Sequence, residues 1–351
     1  MRAARLYGPK DIRMDEIAEP SSPGTGEVIV TIGAVGVCGS DLHTFEDGRI
    51  GNTGVESPLI LGHEFGGTVV EVGEDARDGE GNPLTAGTRV AIDPATPCWY
   101  CEMCERGDPN LCLNLTFFGL YPHDGALQDR MKVPARNCFP IPDSISDAGA
   151  ALLETLGVAI HAVDLSKLTV TDDVSIFGCG PVGLLIARLV RLHTAGNIYV
   201  FDKHPWRVQK ACEWGANYGW TLDDGDPGEL VRQATGGRGV DVAIEAAWAD
   251  QSVNMAADTL RLGGRLVLVG IPGDDTLTLT HSLARRKGLT MMMSRRMKNV
   301  YPRAIKLAEN GHVDLDNMVS HHFPLEGVPD ALDINLKYAE GVQKIVIDVT
   351  Q

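Results

Sequence analysis

The sequence predicts an α/β chain in two parts, one β-rich and irregular, the other a doubly wound parallel sheet. Three observations predict it. The chain has 351 residues, which at roughly 100–200 residues per domain means two domains. Glycine and proline interrupt it up to about residue 143, as in Pro20-Ser21-Ser22-Pro23-Gly24 and Gly107-Asp108-Pro109-Asn110. Many short strands between such turns make an irregular β domain. From near residue 146, short apolar runs alternate with helical stretches of about 10–15 residues, the pattern of βαβ units on a parallel sheet.

Taken in order, Glu27-Val28-Ile29-Val30-Thr31-Ile32 alternates polar and apolar as a half-buried strand does. Ile145 to Leu153 opens a helix. Strands follow at 173–177, 197–201, 240–245 and 264–269, with helices between them at Pro181 to His193 and Pro205 to Trp214. Met291-Met292-Met293 reads as a buried strand. A helix from Tyr301 to Asn310 and a strand from Lys344 to Val349 end the chain. There is no internal repeat and no low-complexity segment.

Composition excludes several classes. The chain is 44% apolar and 22% charged, so it is neither disordered nor a disulfide miniprotein. Lys+Arg 31 against Asp+Glu 47 leaves a net charge of −16, which repels nucleic-acid phosphate and anionic lipid. The basic run Arg285-Arg286-Lys287 with Arg295-Arg296-Met297-Lys298 is too short to reverse this. No apolar stretch approaches the roughly 20 residues of a membrane span, and Met1 to Pro9 lacks the apolar core of a secretory signal. The expectation is a cytoplasmic protein without nucleic-acid or membrane partners. Its eight cysteines then read as ligands, catalytic groups or core residues.

Cys98-x2-Cys101-x2-Cys104-x7-Cys112 puts half of the cysteines within 15 positions. Four thiolates on one polar loop suit a closed, structural zinc site; an iron–sulfur cluster is the alternative. Cys38-Gly39-Ser40-Asp41-Leu42-His43 and Gly62-His63-Glu64 offer thiolate, imidazole and carboxylate. Three protein ligands with an open fourth position build a catalytic zinc. Gly178-Cys179-Gly180-Pro181-Val182-Gly183 follows an apolar strand and opens a helix. That is the Rossmann-type dinucleotide fingerprint, which lets backbone approach a pyrophosphate at a helix N-terminus. Asp202 ends the next strand, where a carboxylate binds ribose hydroxyls and repels a 2′-phosphate, favouring NAD over NADP. Arg207, nearby, pulls towards NADP. Cys138, Cys179 and Cys212 read as packing residues.

With these motifs in this order, the chain resembles the zinc-containing medium-chain dehydrogenases from its first strand to its last. Further marks are Gly66, Gly236-Gly237-x-Gly239-Val240-Asp241 and Gly263-Gly264-x-x-Val267-x-Val269-Gly270. The resemblance implies a GroES-like catalytic domain from residues 1–151 and 290–351 and an NAD-binding Rossmann domain at 152–289. It implies that Cys38 and His63 hold a catalytic zinc, with Glu64 as ligand or supporting carboxylate, and that Ser40 and His43 form a proton relay. Val269 joins Gly178, Gly180, Pro181, Val182, Gly183, Asp202 and Arg207 at the cofactor. With the four-cysteine loop, two Zn2+ per chain are expected.

The match also discriminates within the family. Simple-alcohol members place a second zinc cysteine where this chain has Glu154, and the resemblance to the sorbitol-dehydrogenase-like and threonine-dehydrogenase-like branches implies that this carboxylate reaches the catalytic zinc directly or through water. Arg296-x-x-Asn299-x-Tyr301-Pro302 looks like the polyol branch's motif, in which the arginine touches substrate hydroxyls; the other reading of Arg296 is a solvated charge. The implied function is zinc-dependent hydride transfer from a secondary hydroxyl of a polyol, cyclitol or sugar to NAD, with Glu64, Glu154, Ser40 and His43 handling protons. The rivals are a threonine-type amino-alcohol dehydrogenase, a zinc-free quinone or enone reductase, and a non-catalytic protein that keeps the fold. A homo-oligomer, tetramer or dimer, is usual in this family.

Overall fold

A computed structural model describes residues 1–350 except 248, 250, 273 and 274. The chain forms two units, Met1–Glu154 with Lys298–Gln351, and Thr155–Met297.

Glu27–Gly36 is the central strand of a seven-stranded sheet in the first unit. Val28, Ile29, Val30, Ile32, Ala34 and Val35 are all buried. The half-buried alternation expected at 27–32 is therefore a strand covered on both faces and continuing to Gly36. Full burial of each Val or Ile contributes roughly 1.5–3 kcal/mol, which makes this strand the spine of the unit. It pairs antiparallel with Glu64–Val72, Arg130–Pro134 and Ile345–Asp348. Gly36 stands opposite both Glu64 and Val346. Three strands distant in sequence thus bring Gly36, Glu64 and the start of the last strand to one point. The chain leaves Gly36 directly into Val37 and Cys38 and then the helix Gly39–Asp47.

The helix Asp147–Ser166 has 20 residues and is apolar enough to cross a membrane by length and composition. This corrects the expectation that no stretch approaches that length. With 78% of its most apolar window buried inside the protein, it is a core helix.

The second unit holds a six-stranded parallel sheet in the order Tyr218–Thr221, Ile198–Asp202, Val174–Phe177, Val240–Glu245, Leu260–Leu268, Thr290–Met293. Every residue of three of the four inner strands, 174–177, 198–202 and 240–245, is buried, as expected when helices cover both faces. Phe177, Tyr199, Phe201, Val240 and Leu266 share one core, and Phe177 stacks on Phe201 at 4.7 Å. Pro181 and Pro205 open their helices at a position where the missing N–H costs nothing.

Two packing expectations are corrected here. Met291 and Met293 are 39% and 65% exposed, because Thr290–Met293 is an edge strand rather than a buried one. Cys212 is exposed on the helix Pro205–Glu213, whereas Cys138 and Cys179 are buried as read.

Candidate active site

Cys38, His63 and Glu64 converge, each offering a ligand atom within 4.8 Å of the others. Local backbone explains it. Gly62 adopts φ +93, and a Cβ there would lie 2.7 Å from Val35 Cγ1, so the turn that aims His63 inward requires glycine. Gly36 leaves the space that Glu64 fills, since a Cβ at Gly36 would stand 2.1 Å from Glu64 Oε2. His63 is oriented from behind: its Nδ1 lies 3.4 Å from Asp41 Oδ1, while Nε2 lies 3.4 Å from Ser40 Oγ. Asp41 in turn accepts from the backbone N–H of Cys38 at 3.0 Å and of Gly62 at 3.4 Å. Burial disfavours both charges, yet the pairing wins: Asp41 is held below the usual carboxylate range and His63 well above its usual value. A buried imidazole braced by a carboxylate is how a metal-binding histidine is oriented.

Lys344 is 2% exposed, and its ammonium meets the Glu64 carboxylate and donates to the Val37 carbonyl at 3.0 Å. Glu154 is also buried but stands outside the convergent set. Burial, reinforced by Glu64 and opposed by His63, pushes its carboxyl up to about 8. His43 lies on the same helix as Ser40, with Nδ1 3.8 Å from Asp47 Oδ2. Asp41 and Lys344 are the members that sequence reasoning did not assign.

The four cysteines of the loop close on one another, with Sγ separations of 3.5 Å for Cys98–Cys112, 3.6 Å for Cys101–Cys104 and 3.8 Å for Cys101–Cys112. All eight cysteines are free thiols. Burial raises Cys98, but bonds from the Tyr100 backbone, Asn114 and Cys112 bring it down to about 6. Burial and the neighbouring thiols push Cys104 up to about 12. Four sulfurs this close ionise together only around a cation, which fits the donor set of a tetrahedral metal.

In the second unit the glycines are sterically required. Gly178 adopts φ +90, and a Cβ on Gly183 would lie 1.8 Å from the Gly178 carbonyl oxygen. Gly180 precedes Pro181 and Val182 at the helix start. Asp202 Oδ2 braces the loop, accepting from the Cys179 N–H at 2.7 Å, while Oδ1 accepts from the His204 N–H at 2.8 Å in the turn after its own strand. Arg207 is buried with Nη1 beside Gly180. Val269 donates its N–H to the Glu245 carbonyl at 2.8 Å. These residues fit a dinucleotide cradle. Arg296, also in this unit, is half-buried with a left-handed φ of 56. Within the first unit, Lys298 pairs with Asp108 at 2.5 Å, and Tyr301 donates to the Ile92 carbonyl at 2.8 Å while stacking on Phe139.

Residues 24–143 match the alcohol dehydrogenase GroES-like domain and residues 181–310 the zinc-binding dehydrogenase domain. The chain is 34% identical to the sorbitol dehydrogenase of Bacillus subtilis (strain 168) over 347 residues, 99% of this chain and 97% of that one. Two solved structures superpose with TM-score 0.88, each alignment covering 99% of both chains. One, from E. coli CFT073, is an alcohol dehydrogenase complexed with NADH, at 27% identity. The other is a putative zinc-binding dehydrogenase from Sinorhizobium meliloti 1021 bound to NADP, at 29% identity. The chain belongs to the zinc-containing medium-chain dehydrogenases. Within that family it falls in the sorbitol-dehydrogenase-like group.

Proposed function

We propose that the protein oxidises a secondary hydroxyl of a polyol, cyclitol or sugar with NAD, releasing a ketone, NADH and a proton. The observation that carries this is the convergence of Cys38, His63 and Glu64, with Glu154 buried beside them in place of a cysteine. Zinc bound there supplies a Lewis acid that lowers the pKa of a substrate hydroxyl. Cys38 and His63 would hold the metal, with Glu64 and Glu154 reaching it directly or through water. Asp41, on Nδ1, fixes the His63 ring and would leave Nε2 for the metal. Ser40 Oγ takes the hydroxyl proton and His43 passes it towards solvent, with Glu64 or Glu154 the alternative base. NAD supplies the hydride acceptor at C4 of its nicotinamide. Gly178, Gly180 and Gly183 let its pyrophosphate reach the helix N-terminus, Pro181, Val182 and Val269 line the cofactor, and Asp202 takes the ribose hydroxyls. Cys98, Cys101, Cys104 and Cys112 hold a second, structural zinc.

Two features support a polyhydroxylated substrate. Glu154 offers hydrogen-bond acceptors that an unfunctionalised alcohol does not use, and Arg296 adds fixed donors for vicinal hydroxyls. The sorbitol-dehydrogenase likeness points the same way. Eight free cysteines support a cytoplasmic setting, and the exposed edge strand Thr290–Met293 supports a homo-oligomer. The test is Arg296→Ala. It lowers kcat/KM for a polyol at least tenfold, which is about 1.4 kcal/mol, with zinc content and NADH affinity kept. An unchanged kcat/KM removes Arg296 from the substrate site.

A further inference from the structure

Glu245 ends the strand Val240–Glu245, which neighbours Val174–Phe177 where the strand order of the parallel sheet reverses. In open parallel sheets the ligand lies outside the carboxyl ends of the strands at that switch point. Phe177 and Glu245 are partners in register, so the glycine loop and the segment after Glu245 leave the sheet side by side. A Cβ on Gly178 would stand 2.7 Å from the Ala246 oxygen and 2.8 Å from Ala247 Cα. The segment after Glu245 is therefore the wall against which the glycine loop rests. The glycine loop and Asp202 belong to the sheet half that takes the adenosine end, which leaves this wall to the nicotinamide half.

The Glu245 side chain, 3% exposed, turns back into its own wall. Its Oε1 accepts from the Ala247 N–H at 2.9 Å and from the Ser252 hydroxyl at 2.7 Å. Gly270 donates its N–H to the Glu245 main-chain carbonyl at 3.1 Å from the segment leaving Leu260–Leu268, and a Cβ on Gly270 would lie 2.7 Å from Oε2. Glu245 thus joins the ends of two adjacent strands and the first turn of the helix Ser252–Thr259. The charged groups on the elements around it are engaged elsewhere: Asp241 with Arg238 and Arg261, Asp258 with Arg232 and Lys287, and Arg265 with Asp172. A small cavity lined by Glu245, Ser252, Val253, Leu268, Leu277 and Met293 adjoins the carboxyl. An acid buried with no cation beside it is costly, and a strand end could be tied by neutral groups alone.

We propose that Glu245 is a positioning residue for the nicotinamide half of the cofactor, fixing the wall that includes Ala246, Ala247 and Ser252 through its carboxylate and Val269 and Gly270 through its main-chain carbonyl. This rests on the dinucleotide reading of the glycine loop. The Ala247 N–H and the Ser252 hydroxyl, aimed at one carboxyl, hold the wall when it is ionised, and protonation removes part of that acceptor capacity. Burial, against those donors, pushes the group up to about 7, so the clamp weakens as pH falls through neutrality.

The experiment titrates the zinc-loaded protein with NADH and, separately, with ADP-ribose, which lacks the nicotinamide, from about pH 5.5 to about pH 9 around that midpoint. Wild-type affinity for NADH falls relative to that for ADP-ribose as pH drops through about 7. Glu245→Gln binds NADH at least about tenfold more weakly at high pH and loses the pH dependence, while ADP-ribose binding stays. Glu245→Asp falls between the two. NADH binding by Glu245→Gln equal to wild type, or equal weakening for both ligands, overturns the proposal. If the variants do not fold, identical pH profiles for the two ligands on the wild-type protein overturn it. Failure of both ligands to bind wild type instead overturns the dinucleotide reading itself.

Discussion

Lys344 lies in a run of apolar residues that reads as a strand, and nothing within a few positions marks it as special. Its ammonium is buried against Glu64, which is 1% exposed and 280 positions earlier in the chain. Such a pair exists only because Gly36 is in register with both Glu64 and Val346, and that register is invisible in the sequence. Removing one partner of a buried ion pair strands the other. Lys344→Met therefore lowers the unfolding free energy by about 3–5 kcal/mol, measured by denaturant titration, and a loss below about 1 kcal/mol would place the pair in solvent-like surroundings. Asp41 was equally unread. It sits inside the hexapeptide that marks the site, but its role depends on the approach of His63 and Gly62. Asp202 was legible because its spacing from the glycines is fixed by one strand and one helix. One of its oxygens also braces the loop, so Asp202→Ala both narrows the NAD preference and raises the KM for NAD. Steady-state kinetics with NAD and NADP at equal concentration measures this, and a wild type that prefers NADP would reverse the reading of Asp202 against Arg207.

At the scale of elements, the glycine loop and the four-cysteine loop were readable because each is a local solution to a local demand. Gly183→Ala would put a methyl 1.8 Å from the Gly178 oxygen. The loop must shift, and NADH binding, followed by fluorescence, is lost while zinc content is unchanged. Cys101→Ser opens the thiolate cluster, and the protein loses one metal ion and much of its thermal stability; metal analysis and a melting curve check both. The strand Thr290–Met293 was placed correctly along the chain but misjudged in burial. Three methionines predict apolar surroundings, whereas strand order decides which strand is at the edge. Cys212 failed for a related reason, since a helix's exposed face is set by what it packs on. The helix Asp147–Ser166 was underestimated because glycines, an acid and a histidine break its apolar run, though most of it is buried.

For the whole molecule, fold class and family follow from motifs whose order along the chain is as informative as their content. The β-rich and βαβ textures differ because antiparallel strands are joined by short turns, whereas parallel strands need a helical crossover between them. What the textures leave open is the substrate, which depends on side chains from segments far apart in sequence. The claim at the centre is zinc-dependent oxidation of a hydroxyl flanked by other hydroxyls, at a site built from Cys38, His63, Glu64 and Glu154. A site that bonds hydroxyls rejects analogues lacking them, because its buried polar groups are left unpaired. The most direct measurement is the rate of NAD reduction by the zinc-loaded protein with sugar alcohols and cyclitols, set beside 2-butanol and threonine. Higher kcat/KM on a polyol, abolished by chelation and restored by zinc, is the expected result. Faster turnover of threonine or 2-butanol, or turnover indifferent to zinc, would contradict it.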